Sequence, residues 1–69
     1  MLTKLEKSII KLLLSIGISQ DVVMYTLLKL RSESEQNTFI EYLKSTTPNE
    51  LTERIIIAKV KELSKETKN

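Results

Sequence analysis

Any chemistry in this sequence must come from hydroxyls, carboxylates and amines, because it contains neither histidine nor cysteine. The commonest general base and the easiest nucleophile are therefore missing. So are the usual zinc and copper ligands and any disulfide. The carboxylates include two close pairs, Glu33/Glu35 and Glu50/Glu53. Paired carboxylates divide acid and base roles when their environments drive their pKa values apart. Here both pairs fall in expected first helical turns, where an exposed carboxylate simply complements the positive end of the helix dipole. Most Ser and Thr residues likewise stand at helix starts. With one Gly in the chain there is no glycine-rich phosphate loop. The expectation is a non-enzymatic protein with no catalytic residue, no cofactor, no metal site and no small-molecule substrate.

The amines are better organised. At about 100° per residue, Lys4, Lys7 and Lys11 share one helix face, and Arg54, Lys61, Lys65 and Lys68 share another. Two such ridges could rest on phosphates without reading base sequence. The simpler reading is a pair of solvated faces opposite apolar stripes. Eleven basic residues against nine acidic ones leave a net charge of only +2, and Glu33, Glu35, Glu41, Glu50 and Glu53 make the middle of the chain acidic.

The elements that carry these residues are helices. One Gly and one Pro leave little room for β-turns, and the apolar spacing is helical throughout. Three Ser/Thr-x-x-Glu boxes mark starts: Thr3 to Glu6, Ser32 to Glu35 and Thr47 to Glu50. The third places Pro48 at the first helical position, where its missing donor costs nothing. Ser19 after Gly17 marks a fourth start. The prediction is an all-α bundle of four short helices, at about 3–16, 20–31, 33–45 and 48–65. Residues 1–64 then form a single domain and 65–69 a frayed tail, and helices two and three could run together with a kink at Ser32. At a shift of about thirty residues "IIKLLLS" lies over "FIEYLKS" and "LLKLR" over "IAKVK", so the chain reads as two αα-hairpins.

The apolar faces exceed what one small bundle can cover. Helix one carries Leu5, Ile9, Leu12, Leu13 and Ile16, widened by Ile10 and Leu14; helix three carries Gln36, Phe39, Ile40 and Leu43. Helix two is apolar nearly all round, which belongs in a core or at an interface. Helix four shows two stripes, Leu51-Ile55-Ala58 and Ile56-Val60-Leu63. A chain this short sits near the margin of stability, and with disulfides and metals excluded, oligomerisation remains. Ile56, Val60 and Leu63 are the expected dimer seam, with Met24 and Leu28 as the alternative and Tyr25 beside them as an anchor.

"GISQDVVMYTLL", Gly17 to Leu28, resembles the turn and second helix of small helix-turn-helix repressors over about twenty residues. Gly17 supplies the turn, Ile18 the buried turn residue, Ser19 the cap, and Val23 the packing position. That resemblance implies a nucleic-acid-binding regulator. The pattern departs at Leu13, where a small residue is normal, and at Thr26, normally apolar. The outward residues would be Gln20, Asp21, Met24, Tyr25 and Leu28, whereas base reading needs Arg, Lys, Asn or Gln. No apolar run approaches the roughly 20 residues of a membrane span. Glu6 and the lack of a small-residue cleavage site argue against a signal peptide, so a cytoplasmic location is expected. The leading expectation is a helical protein-interaction module that binds itself, as a homodimer, or another protein; the alternative partner is nucleic acid.

Overall fold

The structure of the chain, a computed structural model, describes residues 2–66. It is all-helical: α1 (Lys4–Ser15), α2 (Gln20–Lys29), α3 (Glu33–Ser45), a 3-10 turn (Pro48–Glu50) and α4 (Glu53–Glu66). α1 packs on α2 and α3 on α4, and the two hairpins lie together through α1 against α3 and α2 against α4. Helices α1 and α4 therefore stand on a diagonal, as do α2 and α3. The side chains of Lys65 and Glu66 and all of residues 67–69, which make up the expected tail, lie outside the described residues.

Two capping boxes form as expected. Thr3 Oγ1 accepts from the Glu6 N–H at 3.1 Å while the Glu6 carboxylate accepts from the Thr3 N–H at 2.9 Å. Ser32 and Glu35 repeat the exchange, and Glu35 also accepts from the Arg31 N–H at 2.9 Å. One carboxylate thus ties down two amides of the corner between α2 and α3. No continuous helix crosses that corner. Leu30 leaves α2 with ψ 90° and is fully buried, and Gln36 Nε2 donates to its carbonyl at 2.9 Å. This bond accounts for a polar side chain in the apolar stripe of α3, because it satisfies a carbonyl that the end of α2 leaves bare.

Gly17 ends α1. With φ +86° it lets the Ile18 N–H reach the Leu13 carbonyl (3.0 Å) and the Gly17 N–H the Leu14 carbonyl (3.1 Å). This is the double closure of a Schellman cap, and its apolar pair, Leu13 and Ile18, is buried. Ser19 occupies the N-cap of α2, but its hydroxyl makes no cap bond. Its N–H instead donates to the Glu53 carboxylate at 2.9 Å, pinning the start of α2 to the first turn of α4.

The start of helix four differs from the expectation. "TPNE" forms only a 3-10 turn, and the Thr47 side chain caps nothing. α4 begins five residues later, where Thr52 Oγ1 accepts from the Ile55 N–H at 3.3 Å. The physical reason lies in Leu51, which is buried. A turn that breaks after Glu50 can drop Leu51 into the core independently of the helix phase, and a continuous helix could not. Thr52→Ala should lower stability by about 1 kcal/mol, while Thr47→Ala should change the midpoint of urea unfolding hardly at all. The reverse order would restore the longer helix.

The core is one cluster built on Ile9, Leu13, Ile18, Val22, Val23, Leu30, Phe39, Ile40, Leu43, Leu51, Ile56, Val60 and Leu63. Three of these, Ile56 (0% exposed), Val60 (0%) and Leu63 (4%), are the residues expected to form an outer dimer seam. They are the inner face of α4. Once Leu51 is off the helix, the competing stripe keeps only Ile55 and Ala58, both exposed, and the stripe with more apolar volume turns inward. Thr26 is also fully buried, and its hydroxyl donates to the Val22 carbonyl at 2.9 Å. A polar residue at an apolar position is thereby satisfied within its own helix.

Candidate functional site

With the second stripe of α4 inside, the surplus apolar surface gathers on the α1–α2 side. α2 divides cleanly. Val22, Val23 and Thr26 face the core, whereas Met24 and Leu28, one turn apart, are 56% and 66% exposed. From α1, Leu14 adds an apolar side chain 46% exposed. Between the helices runs a groove of about 190 Å³ lined by Ile10 and Leu14 of α1 and Gln20, Val23, Met24 and Leu27 of α2. The Schellman cap at Gly17 sets how these helices meet, and so fixes both the recess and the two side chains that stand beside it.

The other expected anchor, Tyr25, is half-buried against the core. The Lys29 Nζ sits 5.8 Å from its ring centroid, a cation–π contact that covers one ring face. Tyr42 is occupied similarly, with Lys59 Nζ at 4.9 Å and Phe39 stacked at 6.5 Å between centroids. Met24 and Leu28 are therefore the free apolar projections of the site, and Tyr25 is its flank. Leu14 was missed as a member of the site. Its signal was present in the sequence: with Ile10 it widens the α1 stripe beyond what the core side of one helix requires.

The outward face of α2 consists of Gln20, Asp21, Met24, Leu28 and Lys29. As a surface for a DNA groove it offers one amide, one acid, one cation and two hydrophobes, so the turn at Gly17 positions a helix poorly furnished for reading bases. Lys4, Lys7 and Lys11 are exposed on α1, and Arg54 and Lys61 are exposed on α4. Because α1 and α4 stand on a diagonal of the bundle, these two ridges do not merge into one basic surface. Among the described residues no group of three or more acidic, His or Cys side chains is placed to hold a metal ion, and no helix is long and apolar enough to cross a membrane. No protein-family model matches the sequence, and no similar chain was found among curated proteins or solved structures.

Proposed function

We propose that this chain is a non-enzymatic protein-interaction module that self-associates through its α1–α2 face. The observation that carries the reading is the exposure of Met24 and Leu28 on successive turns of α2, beside an apolar groove. Apolar surface gathered in this way marks association sites. Each chain presents a projection, Met24 with Leu28, and a recess lined by Ile10, Val23 and Leu27. A two-fold axis lets one patch serve both subunits, with the projection of each entering the recess of the other. Methionine suits such a seam because its flexible thioether fills irregular gaps.

Isotope-filtered NMR tests the face directly. In a mixture of methyl-labelled and unlabelled chains, the Met24 methyl should show intermolecular contacts to Leu14 and to Ile10 or Leu27. Intermolecular contacts confined to Ile55 or to α3 would move the interface elsewhere and overturn this reading.

A further inference from the structure

A second groove, of about 180 Å³, opens on the α1–α3 side and is lined by Ser8, Lys11 and Leu12 of α1 and by Ile40 and Lys44 of α3. Its chemistry differs from that of the α1–α2 groove. Leu12 and Ile40 belong to the core cluster or pack against it and form an apolar floor. Lys11 and Lys44 are exposed and come from different helices. No acidic residue lines the groove. Among the described residues, neither Lys11 nor Lys44 forms an ion pair; the recorded pair, Lys59–Glu62, is on α4. Lys4 and Lys7 continue the charge along the exposed face of α1, giving a basic row about 10 Å long at 1.5 Å rise per residue.

We propose that this groove binds an acidic amphipathic helix of another protein. One large apolar side chain of that helix seats between Leu12 and Ile40, and its carboxylates meet Lys11 and Lys44. Volume supports a single side chain, since a cavity of about 150 Å³ accommodates benzene. Spacing supports a helix: Lys4, Lys7 and Lys11 stand on successive turns, matching carboxylates three and four residues apart on a helix laid alongside. A lone small carboxylate would leave most of the row unused. Nucleic acid would use the cations but not the slot, because no aromatic ring lines it to stack a base. None of the lining residues lines the α1–α2 groove, so this site does not depend on self-association.

Fluorescence anisotropy with a synthetic probe tests it. The probe is a labelled helical peptide with Leu every third and fourth residue and Glu on both sides of that stripe. Its control has the same composition with the stripe scrambled. Duplex DNA and phosphatidylglycerol vesicles are the competing arms. The striped peptide should bind saturably with Kd on the order of 10 µM, and the scrambled one at least about tenfold more weakly. Lys11→Glu and Lys44→Glu, both at exposed positions, should each weaken the striped peptide by about tenfold. Ser8→Phe fills the slot and keeps both charges, so it should weaken the striped peptide alone; circular dichroism confirms that each variant folds. Equal binding of both peptides, no saturable binding, or indifference to Ser8→Phe overturns the proposal. Tighter binding of DNA or vesicles than of the striped peptide overturns it in favour of that polyanion.

Discussion

Val60→Asp is expected to unfold the chain, whatever its state of association. Val60 is fully buried, in one cluster with Ile56, Leu63 and the core residues of the other helices. A carboxylate there loses the valine's apolar burial and must either ionise without a partner or fold protonated and unbonded. Each route costs several kcal/mol. A domain of this size holds only about 5 kcal/mol in all, so the loss consumes its stability. Ile55→Asp, five residues earlier on the exposed side, should stay within about 0.5 kcal/mol of the parent. Far-UV circular dichroism through a thermal scan separates them: no cooperative transition for the first, a nearly unchanged one for the second. If Val60→Asp instead yields a folded monomer, α4 is turned the other way.

Leu28→Glu should do the opposite, dissociating the assembly while sparing the fold. Leu28 is 66% exposed, so the isolated chain loses almost nothing when it is charged. In a two-fold dimer the change counts twice, because both copies of the residue lie in the same seam. Two buried carboxylates would face an apolar recess, and removal of an interface anchor typically costs about 2 kcal/mol or more, so with both copies counted Kd should rise by at least several hundredfold. Met24→Glu should behave in the same way. A Leu28→Glu chain that associates as tightly as the parent would place the seam on another face.

Much of this architecture was legible from short-range signals. The boxes at Thr3 and Ser32 act through side chain-to-backbone bonds that span three residues, so their spacing alone announces them. Gly17 is the only glycine, and a positive φ is what it contributes. The pattern at "TPNE" misled because it satisfies every local rule for a helix start, while the deciding term is tertiary. Burying Leu51 favours a break after Glu50, and that break moves the helix start to Thr52. The same displacement reversed the reading of α4. Treated as part of a continuous helix, Leu51 lent weight to the stripe of Ile55 and Ala58, and the true core residues Ile56, Val60 and Leu63 were assigned to the surface.

The candidate site was legible in part. Met24 and Leu28 stood out because α2 carries hydrophobes on every side, and only one side can face the core. Which side does so depends on how α1 and α4 flank it, and that is not written in the periodicity of α2. The contribution of Leu14 and the recess between α1 and α2 likewise arise only when the two helices meet at the angle set by the Gly17 cap. The α1–α3 groove joins Lys11 to Lys44 across 33 residues of chain. No pattern within either helix marks that partnership.

Sedimentation equilibrium of the parent chain beside Leu28→Glu tests self-association through the α1–α2 face most directly. At high micromolar concentration the parent should weigh twice the 8.0 kDa chain mass, and Leu28→Glu should weigh 8.0 kDa with an unchanged helical spectrum. A folded parent at 8.0 kDa across that range, or a variant as heavy as the parent, would contradict it.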